Sequence, residues 1–226
     1  MEYTGEDNLK VMKSALNYNK HLIDLVRNAM PQNAKTILDF GSGDAFFANE
    51  LKKQLNTEIC CVEPAANMQK FYAQKPYQSL SEVKSDSIDY IYSLNVLEHI
   101  EKDEDIVAEF HRVLTPKGVV FLYLPAFMCL YSAMDDLVGH YRRYQKNDVS
   151  RLFNMQKWQV ETVKYADFAG FFATLAYKLI GNRKGTLSTA SLTFYDKYLF
   201  LLSAWLDKIT AGRLLGKNII VKVRKI

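Results

Sequence analysis

The stretch Thr36-Ile-Leu-Asp-Phe-Gly-Ser-Gly-Asp-Ala45 constrains this chain more than any other. Thr36 to Phe40 is a short apolar run carrying one acid, which reads as a buried parallel strand. Gly41-Ser-Gly43 is a sharp turn, because glycine lacks Cβ and adopts backbone angles closed to other residues. From Ala45 to Leu55 the spacing turns helical, with Phe46 or Phe47, Leu51 and Leu55 on one side. Strand, glycine turn and helix open a nucleotide-binding α/β unit. The free N–H groups at the start of such a helix suit a carboxylate or phosphate.

Two common phosphate loops do not fit. A dinucleotide fingerprint, G-x-G-x-x-G, would need glycine where Phe46 stands, and no Gly-Lys-Ser/Thr is present. The pattern Asp39-x-Gly41-x-Gly43-x-Ala45 instead resembles the first motif of class I S-adenosylmethionine (SAM) methyltransferases, D-x-G-x-G-x-G, with alanine in the last glycine slot.

At 226 residues and 49% hydrophobic content, the chain suits one domain with a full core. Cys60, Cys61 and Cys129 offer no framework of bridges, so a reducing, cytoplasmic setting is expected. The start of the chain is polar and acidic, without the look of a signal peptide. No apolar run reaches the roughly 18 residues of a membrane span. The net charge of +4 is uneven. Residues 178–226 hold ten Lys/Arg against Asp196 and Asp207, whereas the rest of the chain is mildly acidic. Such a basic end suits an anionic substrate, a membrane surface, nucleic acid or simply a solvated face.

Along the chain, Leu9 to Met30 is helical, as one helix or two, until Pro31 stops it. In many methyltransferases such a segment covers the cofactor, which makes Tyr18 and Asn19 lining candidates. Glu58 to Val62 is a second strand, ended by Glu63-Pro64. An acid there can accept hydrogen bonds from both ribose hydroxyls of an adenosine ligand. Ala65 to Tyr72 starts a helix, and a short third strand is expected near Tyr77–Leu80. Ile88 to Leu94 is the fourth strand, Asp103 to Leu114 a helix, Thr115 to Gly118 a turn and Val119 to Leu124 the fifth strand. The segment Asp135–Tyr144 precedes a helix from Lys146 to Phe153, capped by Asn147 or Asp148. Trp158 to Tyr165 alternates as a strand, and Asp167–Ile180 and Ser191–Ile209 are aromatic helices around a basic loop at Gly181–Gly185. Asn218 to Val223 is the last strand.

Val96-Leu-Glu-His-Ile100 followed by R-V-L-x-P-x-G is similar to the fourth-strand, helix and fifth-strand block of SAM methyltransferases. The Gly139-His-Tyr-Arg-Arg-Tyr144 segment is similar to one in bacterial methyltransferases of glycan, lipid or natural-product pathways. The resemblance implies a Rossmann-like α/β fold: a seven-stranded, mostly parallel sheet with an antiparallel last strand and a helical cap. Residues 1–226 would form one domain, with an N-terminal helical cover (1–35), a cofactor core (36–125), a substrate loop and cap (126–216) and the last strand (217–226).

It also implies SAM as cofactor. Asp39, Gly41, Ser42 and Gly43 would hold the methionine end, Glu63 and Pro64 the ribose side, and Met68 the adenine face. Leu94 and Asn95 would border the methionine end. His140 would be the candidate base, with Tyr141, Arg142 and Arg143 near the acceptor. In ubiquinone-type O-methyltransferases an acid–acid–His cluster is associated with a metal. Asn95 occupies its first acid position, so Glu98 and His99 are read as hydrogen-bonding the strand–helix corner and no metal is expected.

The expected reaction is methyl transfer to an oxygen or nitrogen of a small molecule, the product being S-adenosylhomocysteine. Three alternatives stand beside it. A non-catalytic SAM-binding protein shares every cofactor residue. An NAD(P)-dependent oxidoreductase shares Glu63, against which Phe46 argues. A nucleic-acid methyltransferase would use the basic end, but no N/D-P-P-Y/F motif is present and no nucleic-acid partner is expected. The basic, aromatic C-terminal part also suits peripheral membrane contact.

Overall fold

The computed structural model describes residues 6–180 and 189–226. The basic loop expected at 181–185 and the first five residues lie outside them. The N-terminal helical segment divides into α1 (Glu6–Met12) and α2 (Leu16–Ala29), broken where the Ser14 hydroxyl donates to the Val11 carbonyl at 2.7 Å. α2 buries Tyr18, Leu22, Ile23 and Val26 along one side.

The glycine unit forms as its pattern requires: β1 (Ile37–Phe40) is buried throughout and leads through the turn into α3 (Phe46–Leu55) and β2 (Ile59–Val62). Next come β3 (Ile88–Leu94), α4 (Asp103–Val113) and β4 (Leu114–Pro125), then α5 (Ala133–Val138), α6 (Lys146–Leu152) and β5 (Trp158–Ala166). α7 (Phe168–Ile180), α8 (Thr189–Phe194) and α9 (Phe200–Thr210) precede β6 (Asn218–Lys225). A π-helical stretch, Tyr195–Leu199, joins α8 to α9.

The sheet runs β2-β1-β3-β4-β6-β5. The first four strands are parallel, and β6 lies antiparallel between β4 and β5. Side chains alternate between its faces, as the two-residue strand period demands. Leu38, Ile91, Val120 and Leu122 belong to one core cluster with Val107 and Phe110 of α4. Ile37, Tyr90, Phe121 and Tyr123 belong to another with α2 and with Leu192 and Phe200 of the cap.

Among the described residues, six strands stand where seven were expected. At the expected third strand, Tyr77 makes one parallel bridge to Val62, and the chain then takes a single 3-10 turn at Leu80–Glu82. Arg112 of α4 accounts for the difference. Its guanidinium donates to the Leu80 carbonyl at 2.7 Å and the Val83 carbonyl at 2.9 Å. A side chain therefore satisfies backbone groups that a strand ladder would otherwise pair.

Three local expectations are also corrected. The segment after Pro64 is a 3-10 helix, Ala66–Phe71, rather than the start of an α-helix. Thr115–Gly118 lies within β4 as an irregular stretch, with Lys117 in a left-handed conformation at φ 66°. The cap of α6 is Gln145, whose backbone N–H donates to Asp148 Oδ2 at 2.8 Å.

Arg112→Ala should cost about 1 kcal/mol, given the partial exposure of the guanidinium. Hydrogen exchange should locate the loss at residues 78–87 ahead of the rest of the sheet. Unchanged protection there would refute the role given to Arg112.

Candidate functional site

The chain passes from β1 to β2 on one side and then to β3 on the other, so strand order reverses between β1 and β3. In open α/β sheets the crevice at the carboxyl ends of such strands is where ligands bind. The Gly41 turn and Leu94–Asn95 lie at those ends.

The turn is held tightly. The Gly41 and Ser42 N–H groups both donate to the Val62 carbonyl, at 2.9 and 3.2 Å. Gly41 has φ +75°, and a Cβ there would lie 2.4 Å from Val96 Cγ2. Only glycine allows this approach of β1 to the end of β3. Gly43, at φ +53°, is different: a Cβ there would meet only Leu9, at 3.5 Å. Ala45 caps α3 at φ 59°, an angle that costs an L-residue about 1 kcal/mol. That explains the glycine of the resembled motif at this slot.

A cleft of about 90 Å³ lies over the turn, bordered by Asp39, Gly41–Gly43 and Leu94 and covered by Met12, Lys13 and Asn19. Of the two lining candidates, Asn19 borders it, its amide holding the Met12 carbonyl at 3.0 Å, while Tyr18 lies deeper. Lys13 reaches across to Asp44 at 2.6 Å. Asp39 is buried, and burial pushes its carboxyl up to about 7, against the hydrogen bond that the Tyr92 hydroxyl donates at 2.8 Å.

Glu63 accepts from the Gly43 N–H at 2.8 Å and the Ala65 N–H at 2.9 Å. Burial raises its pKa, and those two donors oppose the shift. The Tyr72 hydroxyl, which sequence patterns did not single out, pairs with Ser42 Oγ at 2.7 Å and donates to the Gly43 carbonyl at 2.8 Å. Pro64 is exposed and Met68 wholly buried, and neither borders the cleft.

Asn95 takes a left-handed conformation, φ 54°, at the exit of β3. Its side chain hydrogen-bonds with Tyr18, which also pairs with the Tyr123 hydroxyl. Its Oδ1 accepts from Asn218 at 3.4 Å. Tyr123 and Asn218 read as ordinary strand residues in sequence; only the β4–β6 pairing brings them here.

The Asp135–Tyr144 segment is held by pairs within the chain. Arg142 donates to Asp103 at 2.9 Å and to the Glu101 carbonyl. Arg143 forks onto Asp135, at 2.8 and 3.0 Å. Both guanidiniums are thus committed to carboxylates of the chain itself rather than presented to an acceptor. Tyr141 is exposed, and its N–H donates to the Glu98 carbonyl at 2.8 Å.

His140 Nδ1 contacts Asp135 Oδ1 at 2.8 Å, and its Nε2 faces Glu98 Oε1 at 3.8 Å. His140 does not border the cleft. The corner reading of Glu98-His99 holds for only one of the two. His99 bonds the Val138 and Gly139 backbone, whereas both Glu98 carboxylate oxygens lack a hydrogen-bond partner among the described residues.

The profile of a family described as a methyltransferase domain matches residues 15–169. No curated protein matches the chain. Among solved structures, a SAM-dependent methyltransferase from Archaeoglobus fulgidus is similar, with a TM-score of 0.59 at 14% identity, over 92% of this chain and 94% of that one. Geranyl diphosphate C-methyltransferase from Streptomyces coelicolor A3(2) gives 0.63 at 8% identity, over 92% and 81%. Phosphoethanolamine N-methyltransferase 2 from Haemonchus contortus gives 0.56 at 17%, over 92% and 52%. At these identities the structures establish a shared fold.

Gly41→Ala should destabilise the protein by about 2–3 kcal/mol in urea denaturation. In a Val96→Ala background the two methyl clashes go and only the 3.0 Å approach to the Cβ of residue 96 remains, so the loss should fall toward the backbone cost of about 1 kcal/mol. Equal losses in both backgrounds would contradict the Gly41–Val96 contact as the cause.

Proposed function

Because the chain belongs to the methyltransferase-domain family and is a SAM-dependent methyltransferase, we propose that it methylates an oxygen or nitrogen of an amphiphilic small molecule. The observation that supports the cofactor assignment is that Asp39 and the Gly41–Gly43 turn border one cleft, with Glu63 tied to that turn through the Gly43 N–H. The space above Gly43, which a Cβ would enter, suits close approach of a ligand to backbone.

In this reading Asp39 pairs with the methionine ammonium and Gly41–Gly43 line that end. Glu63 holds the ribose hydroxyls. Each of its oxygens spends one lone pair on a backbone N–H and keeps another for a hydroxyl. Pro64 and Met68 flank the adenine side, and Leu94 and Asn95 border the methionine end. A cleft of about 90 Å³ is well below the roughly 300 Å³ of a small-molecule site. Entry therefore requires α1 to lift, breaking the Lys13–Asp44 pair.

The bound sulfonium supplies an already activated methyl group. The chain's task is to align an acceptor with it and exclude water. His140, whose Nε2 faces Glu98, takes no base role in this reading.

The amphiphilic acceptor rests on the cap. Phe172, Phe194, Tyr198, Leu201, Trp205 and Ile209 are all half or more exposed on α7–α9 and the stretch between them. Lys178, Lys197 and Lys208 lie among them in the chain and Arg213 just after. No helix among the described residues is long and apolar enough to cross a membrane. An apolar band edged with cations suits shallow contact with an anionic bilayer.

Two measurements test this. Asp39 ionises near pH 7 in the free protein, above its unfolded value of about 3.9, so its burial costs stability as pH rises from about 4 through 7. A ligand ammonium reverses that preference. SAM affinity should therefore rise by up to about tenfold per pH unit between 5 and 7 and level off above, with proton release seen by calorimetry in two buffers. Asp39→Asn should bind weakly and flatly with pH; an unaltered profile would remove Asp39 from the site.

Co-sedimentation should show binding to vesicles containing anionic lipid and little to zwitterionic ones, lost in Trp205→Glu. Labelled methyl should then appear in lipid-like acceptors. Vesicle binding indifferent to both changes would defeat the membrane reading.

A further inference from the structure

We infer that Glu98, His99 and His140 form a binding site for a zinc-type divalent metal ion. The site goes beyond the methyl-transfer reading and does not depend on it. One ligand atom from each of the three residues can be chosen so that all lie within 4.8 Å of one another. Two imidazoles and a carboxylate are the donors that zinc and its first-row neighbours prefer, whereas magnesium and calcium favour oxygen alone.

Glu98 is the independent sign of a missing partner. It is fully buried, and neither carboxylate oxygen has a hydrogen-bond partner among the described residues. A fully buried carboxylate with no hydrogen-bond donor is costly to ionise. A cation held by the two imidazoles would remove the cost.

The second layer is already built as metal sites require. Asp135 is fixed by both Arg143 and the Ser132 N–H at 2.9 Å, and these partners with His140 hold its carboxyl down at about 2. Its Oδ1 pairs with His140 Nδ1 at 2.8 Å, which turns Nε2 toward Glu98. His99 is oriented by the Val138 and Gly139 backbone, and its ring packs edge-on against His140 with centroids 4.5 Å apart.

Zinc–ligand bonds of about 2.0–2.2 Å bring tetrahedral donors to roughly 3.5 Å apart. The present spacing therefore needs a contraction of about 1 Å. Three protein ligands leave a fourth position for water or an acceptor oxygen. The set differs from an acid–acid–His cluster, because Asn95 takes no part and His140 comes from the loop after α5.

The test uses the full chain after chelator treatment and dialysis. Zinc is titrated in competition with a chromophoric chelator, and cobalt(II) is added separately to read its visible absorption. One equivalent of zinc should bind with submicromolar affinity, and cobalt should give the intense visible bands of a tetrahedral nitrogen–oxygen site. Glu98→Gln, which keeps shape and burial, and His140→Ala should each weaken zinc by at least about 100-fold. Asp135→Asn should weaken it about 10- to 100-fold by loosening His140. A Cys60→Ser/Cys61→Ser variant should bind as wild type, separating this site from the adjacent thiols. Failure of the wild-type protein to bind zinc below about 10 μM would overturn the assignment. So would wild-type affinity in either Glu98→Gln or His140→Ala, or loss of zinc in the cysteine variant alone.

Discussion

The fold turns on the contact of Gly41 with Val96. Here the end of β1 lies against the residue just past β3, close enough that one methyl group would not fit. The Ser93 hydroxyl reinforces the junction by donating to the Phe40 carbonyl at 2.9 Å. Because strand order reverses between these two strands, joining their ends shapes the crevice floor. The left-handed angles at Gly41, Gly43, Ala45 and Asn95 all gather around it. Backbone strain is thus concentrated where ligand approach requires it, and the buried sheet around it holds that strain in place.

Buried acids are the second theme, and the chain treats them in two ways. Asp103 and Asp135 are paired: the first with Arg142 and the Tyr144 hydroxyl, the second with Arg143. Asp167, in a left-handed conformation at the start of α7, accepts from the Ser203 hydroxyl, the Tyr195 hydroxyl and the Gly170 N–H. These contacts fasten the Asp135–Tyr144 segment and the cap to the sheet. Asp39 and Glu98 form no ion pair with Lys or Arg among the described residues, and burial pushes both pKa values up, although Arg143 lies near enough to Glu98 to oppose the shift. Buried charge without a counter-charge is costly. In the readings proposed above, these two acids are the places where an outside cation would offset the cost of burial: a ligand ammonium at Asp39 and a metal ion at Glu98.

What was legible in the sequence followed from local chemistry. β1, the turn and α3 could be read because apolar run, glycines and helical spacing all point the same way. The β3–α4–β4 block could be read for the same reason. The absent third strand could not, because the group that replaces its ladder is Arg112, a side chain from a helix further along the chain. Arg142 and Arg143 looked available for an anion because Asp103 and Asp135 become their partners only once the loop has docked. His140 looked like a base for the same reason: its neighbours Glu98 and His99 arrive from another element. Tyr72 carried no signal, since a tyrosine after a helix start has many uses.

These failures share a cause that bears on the chemistry. Methyl transfer from a sulfonium asks little of side chains beyond alignment and dryness. Residues with such a task would need no distinctive pattern and could be placed by topology alone. Tyr18, Asn95, Tyr123 and Asn218 come from α2, β3, β4 and β6, yet hydrogen-bond in one group beside the cleft. Each is a common residue in an ordinary place. Only the antiparallel insertion of β6 beside β4 brings Asn218 to Asn95, and only the cover formed by α2 brings Tyr18 to Tyr123. The cover is itself tied to the cap, since the Tyr18 N–H donates to Asp196 at 2.8 Å and its ring packs on Phe200 at 5.2 Å. Lifting α1 for the cofactor would thus leave α2 anchored, with the break at Lys13–Ala15 as the hinge, so that the cofactor side can open while the acceptor side stays assembled.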